Sequence, residues 1–214
     1  MIGGKHMASA IIHLAVAKVL RPYFSITNEN DYYLGSIAPD IAKQIGEKKD
    51  KSHFLFNTKE NVPNIKMFTT KYPHFKDNDF DLGYFIHLYT DKIWFEEFIT
   101  KLTSSNSIKL LDGTIINMKQ EDIGKFIYYD YTNLNIKVID EYNLDLSLFY
   151  NDFNIPHTKI DEIPIDKLNI LIDKMGIIIE NSKQNKNYIF DIYLIKEFIE
   201  YTKCKILNIL KESD

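Results

Sequence analysis

The chain has 214 residues, of which 45% are hydrophobic and 14% aromatic, so it can bury a sizeable core and does not have the composition of a disordered protein. Its formal net charge of −4 predicts no basic surface for duplex nucleic acid. A single cysteine, Cys204, excludes an internal disulfide framework and a cysteine-based zinc cluster, and no apolar run reaches the length of a membrane span.

The N-terminal segment superficially resembles a signal peptide, with a basic start and an apolar middle. However, its apolar part is short, carries His13 and Lys18, and is not followed by a small-residue cleavage site, so we expect a cytoplasmic protein. A common cloning site encodes the His-Met pair that ends at Met7. We therefore interpret residues 1–6 as a cloning remnant and residues 7–214 as a single domain.

Hydrophobic periodicity predicts a mainly α fold, a single multi-helix domain with long loops. Ser9 is the predicted cap of the first helix, and residues 41–64 are charged and irregular. An Asp-Gly pair between two apolar runs predicts a small β-hairpin near 107–118. The predicted helices, in chain order, are Ala8 to about Tyr23, 65–72, Asn78/Asp79 to about Leu102, Gln120 to about Tyr142, roughly 166–182 and roughly 187–211.

Polar residues that interrupt apolar text are the candidates for a functional site. The stretch GYFIHLYTD places His87 and Asp91 four positions apart in a predicted helix, where both side chains share one face and can converge on one ion. Zinc accepts imidazole nitrogen and carboxylate oxygen where no thiolate is offered. His13 in the first helix, His53 in a loop and Asp40 after a proline could complete one site or build two adjacent ones with a bridging carboxylate.

Each of these residues, taken alone, is explained at least as well by a structural role in the core or in a turn. His74 and His157 are interpreted as loop histidines, and Lys51 as a solvated side chain in a charge run. Three residues are candidate outer partners of the imidazoles by composition and position, although core or surface roles suit them better: Tyr84, Tyr89 and Asp130.

Taken together, the segments that carry the candidate ligands resemble the zinc-dependent phospholipase C superfamily. They are AIIHLAVA with His13, YYLGSIAPDI with Asp40, KDKSHF with His53, and GYFIHLYTDKIW with His87 and Asp91. In order and spacing they look like the small intracellular bacterial branch, the phospholipase C/D-like hydrolases; the superfamily also includes single-strand-specific zinc nucleases. The resemblance covers about residues 7–98, and the last third of the chain matches only in being helical.

This resemblance implies an all-helical fold with zinc bound in its core by histidine and aspartate. Asp40, His53, His87 and Asp91 match the ligands of one zinc, with Asp91 as the bridge, and His13 matches a ligand of a second ion. We therefore expect one or two zinc ions as the cofactor.

Two features of the secreted phospholipases have no counterpart here. Their processed N-terminal tryptophan is a zinc ligand, whereas His13 follows Met7 by six residues and no such residue is present. Their third zinc uses two histidines and a glutamate beyond the His-x-x-x-Asp helix. Here only His157 follows that helix, and Glu96 and Glu97 point away from its predicted metal face. We expect a centre of at most two metals.

The expected activity is zinc-dependent hydrolysis of a phosphoric ester, as in a phosphodiesterase of the phospholipase C-like type that uses metal-activated water. Asp40 or Asp91 would take the proton from that water, and the sequence does not choose between them. The expected substrate is a small phosphoric ester or a phospholipid-like molecule. Two alternatives stay open: a metal-binding scaffold or partner-binding protein without turnover, and an HD-type phosphohydrolase, whose adjacent His-Asp pair this chain lacks.

Overall fold

Helices form most of the part of the chain that the computed structural model describes, namely residues 8–56, 62–151, 154–180, 182–183 and 185–211. This confirms the predicted mainly α class. The helices are α1 (Ala10–Leu20), α2 (Glu29–Gly35), α3 (Ile41–Gln44), α4 (Ile65–Lys71), α5 (Asp79–Ile93), α6 (Gln120–Thr132), α7 (Asn135–Tyr142), α8 (Leu168–Glu180) and α9 (Ile192–Lys211). The interpretation of residues 1–6 as a cloning remnant falls outside the described residues, and the single domain over 7–214 stays a prediction.

The two central helices, α1 and α5, begin at the caps that the sequence indicates. The Ser9 side chain accepts a hydrogen bond from the amide of Ile12 at 3.2 Å, and Asn78 caps α5 in the same way. Consecutive residues are buried along most of α1 and of α5, so both helices are enclosed on all sides. α1 ends at Leu20, earlier than predicted, because Pro22 cannot continue an α-helix and a 3-10 turn follows.

Two short helices, α2 and α3, lie between the first two predicted helices, where the sequence predicts none. Asn28 caps α2 by accepting from the amide of Asp31 at 3.2 Å, and a 3-10 turn over Ala38–Asp40 leads directly into α3. Helices this short are marginal on their own, so packing against the rest of the molecule decides whether they form.

The contact of α2 with α5 is made backbone to backbone at two glycines. A Cβ atom on Gly35 would lie 2.1 Å from the carbonyl oxygen of Phe80, and one on Gly83 would lie 2.2 Å from that of Tyr32. No side chain fits at either position. The crossing fixes Ser36, the residue that follows α2, against the middle of α5.

The second half of the chain departs from the predicted boundaries where tertiary hydrogen bonds intervene. The helix predicted over 120–142 is broken at Asn133, whose amide group bonds to Asn185 and to the Lys186 carbonyl. The helix predicted from about 187 begins only at Ile192.

The predicted hairpin is confirmed, as β1 (Ser107–Lys109) pairs antiparallel with β2 (Ile115–Asn117). After α5, the helix predicted to about Leu102 continues only as a π-helical turn and a 3-10 turn, Trp94–Phe98 and Ile99–Lys101. None of the helices in the described ranges combines the length and apolar composition that a bilayer crossing requires.

Candidate metal centre

All five predicted metal ligands come together in the core between α1 and α5. His13 comes from α1, His87 and Asp91 from α5, Asp40 from the 3-10 turn before α3, and His53 from the loop that follows α3. Four of them are completely buried, whereas Asp40 retains 8% of its exposure. Burying this many polar side chains costs free energy unless they are paired or hold an ion.

Three ligand atoms form a set with the spacing of one metal site. His53 Nε2 lies 3.2 Å from His87 Nε2, and Asp91 Oδ2 lies 3.4 Å from His87 Nε2 and 3.7 Å from His53 Nε2. Zinc bonds of about 2.0–2.2 Å at tetrahedral angles separate neighbouring ligand atoms by about 3.3–3.6 Å, close to these distances. Asp40 Oδ1 lies 3.7 Å from His53 Nε2, next to this set.

His13 addresses the other oxygen of the same carboxylate. Its Nε2 lies 3.4 Å from Asp91 Oδ1, and its ring stacks on His87 with centroids 3.8 Å apart. His13, Asp40 and His87 also offer ligand atoms that lie within 4.8 Å of one another. Asp91 thus presents one oxygen to His13 and the other to His53 and His87, and the buried His/Asp groups could hold a metal ion.

Four buried polar atoms of this cluster have no hydrogen-bond partner: both ring nitrogens of His13 and both carboxylate oxygens of Asp91. Their 3.4 Å approach does not have hydrogen-bond geometry. An unsatisfied buried polar group costs about 1–3 kcal/mol, and more when it is charged. A cation between His13 Nε2 and the Asp91 carboxylate would satisfy three of these atoms, all but His13 Nδ1 on the far side of the ring, so the residues fit a metal ion.

Hydrogen bonds at the far nitrogens orient the other two imidazoles. His87 Nδ1 donates to the Ser36 carbonyl at 2.8 Å, so its Nε2 presents a lone pair to the site. The Ser52 hydroxyl donates to the Lys49 carbonyl at 3.3 Å and therefore accepts from His53 Nδ1 at 2.8 Å. Two Nε2 lone pairs then face each other at 3.2 Å, an arrangement that a shared cation stabilises.

The pKa values of four residues of the cluster favour the protonation states that metal binding requires; they are His13, Asp40, His53 and Asp91. Burial lowers the pKa of His13, and burial followed by the charge of Lys49 holds the pKa of His53 well below its usual value. For Asp40 and Asp91 burial is the largest single effect and raises the pKa, but the neighbouring basic groups together outweigh it, led by Lys49 for Asp40 and by His13 for Asp91, so both pKa values lie below the ordinary range. Neutral imidazoles and ionised carboxylates are the forms that bind metals.

The candidate outer partners have different positions. Tyr84 donates to the Ser52 carbonyl at 2.5 Å and thereby steadies the loop that carries His53. The Asp130 carboxylate accepts from the backbone amides of residues 188–190. Lys51 is exposed, and it donates to the Asp161 carbonyl at 2.8 Å. The polar side chain that sequence reasoning missed is Lys49, hidden in a charge run typical of a solvated surface.

A cavity of about 510 Å³ reaches the cluster at Asp40, which lines its wall. We call it the Asp40 cavity. Its other lining residues include an apolar wall and a charged rim. The apolar wall includes Ile11, Tyr131, Phe149, Met175, Ile178 and Ile179, and the rim includes Lys43, Glu47, Lys48, Lys49 and Asp50.

Comparison with protein-family models, with curated proteins and with solved structures found no match. The fold and the site define a mainly α protein whose buried His/Asp groups could hold a metal ion.

Proposed function

We propose that this protein is a zinc-dependent hydrolase of phosphoric esters, with a phosphodiester of a small or phospholipid-like molecule as its substrate. The observation that carries the proposal is the buried His/Asp cluster, with four unsatisfied polar atoms, at the end of a cavity large enough for a small molecule. The resemblance of residues 7–98 to the phospholipase C superfamily supports the same assignment. A cytoplasmic location is part of this proposal.

In the proposed centre, the ligands form two groups that share Asp91. His53, His87 and Asp91 Oδ2, with Asp40, would hold one ion, and His13 with Asp91 Oδ1 would contribute to a second. When bound, zinc lowers the pKa of water and neutralises charge on the phosphoryl oxygens.

Asp40 is the carboxylate of the cluster that reaches the cavity, whereas Asp91 is fully enclosed. A proton acceptor has to lie within hydrogen-bond reach of the group that loses the proton. We therefore assign proton acceptance to Asp40 and the bridging role to Asp91.

A metal-binding scaffold without turnover is the second candidate, and the burial of the cluster favours it. Structural metal sites are closed, while catalytic sites keep a position open to substrate. Four of the five candidate ligands are fully buried, namely His13, His53, His87 and Asp91. The two proposals therefore differ in whether a substrate can reach the ion from the cavity, past Asp40.

Metal content and turnover, measured on the same preparations, test both candidates. We expect one or two zinc ions per chain in the wild type and a loss of zinc in His87→Ala. His74→Ala is the control, because the His74 side chain is 85% exposed and is not one of the candidate ligands. Hydrolysis of bis(p-nitrophenyl) phosphate should stop with a chelator, resume with zinc, and fall at least about 100-fold in Asp40→Asn.

The outcomes separate the proposals. Zinc bound without hydrolysis of any phosphodiester offered favours the scaffold. A folded, metal-free wild type that gains neither zinc nor stability on zinc addition contradicts both.

A further inference from the structure

The side chain of Lys49 forms a close ion pair inside the candidate metal centre. Its Nζ lies 2.5 Å from Asp40 Oδ1, the same oxygen that lies 3.7 Å from His53 Nε2. The Lys49 side chain is 24% exposed and also lines the Asp40 cavity. The Lys49 ammonium is therefore paired with the same carboxylate oxygen that Asp40 would offer to a metal ion.

A metal ion bound by Asp40 and His53 would bring a second cation close to this ammonium. Two positive charges that share one carboxylate oxygen repel each other, and the repulsion is weakly screened where water is excluded. The Lys49 side chain can move away from Asp40 without disturbing the local backbone. The local hydrogen bonds go to its backbone carbonyl, which accepts from the amide of His53 at 2.9 Å and from the Ser52 hydroxyl.

We propose that Lys49 is a tethered cation that competes with the metal ion for Asp40, and that metal binding releases its ammonium into the Asp40 cavity to meet an anionic group. This inference rests on the proposed metal site. It deepens the function by naming the residue that couples the metal to an anionic substrate.

The charges around the Asp40 cavity agree with such a release. Among the described residues that line it are three lysines, Lys43, Lys48 and Lys49, and three carboxylates, Asp40, Glu47 and Asp50. Once an ion holds Asp40, Lys49 loses its partner and the rim gains an uncompensated positive charge. A phosphoryl oxygen entering the cavity is a group that this charge would bind.

The zinc affinity of lysine variants tests the competition. Zinc alone is titrated against a chromophoric chelator with the wild type, Lys49→Met and Lys48→Met. Lys48 is the matched control, because it is adjacent, exposed and of equal charge, and lines the same cavity without an ion pair to Asp40. We expect Lys49→Met to bind zinc about tenfold more tightly or better, and Lys48→Met to stay within about threefold of the wild type.

Two further variants guard against an indirect effect. Lys49→Gln removes the charge but keeps a hydrogen-bond donor for Asp40, so it should also tighten binding if Lys49→Met does not fold. In an Asp40→Asn background, Lys49→Met should no longer tighten zinc binding, because the contested carboxylate is absent.

Each outcome decides the question. If Lys49→Met binds zinc no more tightly than Lys48→Met, the proposed competition is overturned. Weaker binding would mean that Lys49 instead holds Asp40 in place for the metal. Failure of every variant and of the wild type to bind zinc overturns the proposed metal site itself.

Discussion

Replacing Gly83 with alanine tests whether the contact between α2 and α5 positions His87. The new Cβ would lie 2.2 Å from the Tyr32 carbonyl oxygen and 2.9 Å from the Ser36 amide nitrogen. To restore an ordinary contact, the end of α2 must move away by about 1 Å. The same movement would stretch the 2.8 Å bond between the Ser36 carbonyl and His87 Nδ1 beyond hydrogen-bond length.

The expected cost follows from these contacts. Overpacking costs about 1–3 kcal/mol, and a buried imidazole nitrogen that loses its acceptor costs about 1–3 kcal/mol more. Helix propensity returns at most about 1 kcal/mol, because alanine is the better helix former. We expect a net loss of about 1–5 kcal/mol in the free energy of unfolding, measured by urea denaturation, and weaker zinc binding because His87 is no longer oriented.

Gly176→Ala in α8 is the matched control. Its added Cβ would meet nothing closer than 3.7 Å, so we expect a gain of about 0.5–1 kcal/mol and unchanged zinc affinity. If Gly83→Ala is as stable as Gly176→Ala and binds zinc like the wild type, the glycine contact does not position the site.

Three further predictions concern the pH dependence of stability, stabilisation by zinc and the carboxylate of Asp130. The pKa values of His13 and His53 are lowered in the folded state, so below about pH 6.5 the unfolded chain takes up protons that the folded chain does not. The metal-free protein should therefore lose stability as the pH falls from 7.5 to 5.5 in urea denaturation, and a flat profile would contradict the buried neutral imidazoles. Zinc at about 100 times its dissociation constant should add about 2.7 kcal/mol and raise the melting temperature by about 5–10 °C in calorimetry, with no change in His87→Ala. Asp130→Ala removes the acceptor of three backbone amides and should cost about 2–4 kcal/mol, while zinc affinity stays unchanged; altered affinity would mean that Asp130 also supports the site.

Local signals were sufficient for the helices that carry most of the site. α1 and α5 each follow a side-chain cap, Ser9 or Asn78, and a long apolar segment, both of which are readable in the sequence. α2 was missed because it has only seven residues and depends on the approach of Gly35 to α5, which is not local. The break between α6 and α7 was missed for the same kind of reason, since Asn133 bonds to residues about fifty positions away.

The candidate ligands were found by type and order, whereas their geometry needed the fold. Nothing in the sequence shows that a backbone carbonyl, that of Ser36, orients His87. Lys49 was missed because lysines in a charge run are usually solvated, and only the folded chain brings its ammonium to Asp40. Charged residues near predicted ligands are thus the point at which sequence reasoning alone is weakest.

The metal ligands beside the Asp40 cavity and most of its apolar wall come from different parts of the chain. Every candidate ligand precedes residue 92, whereas much of the apolar wall comes from α8, through Met175, Ile178 and Ile179. Substitutions in α8 would therefore change the size and shape of the molecules that fit the Asp40 cavity without altering the candidate metal-binding residues. In the proposed hydrolase, selection or protein engineering could thus change substrate choice through the C-terminal half while the metal ligands of the N-terminal half are kept.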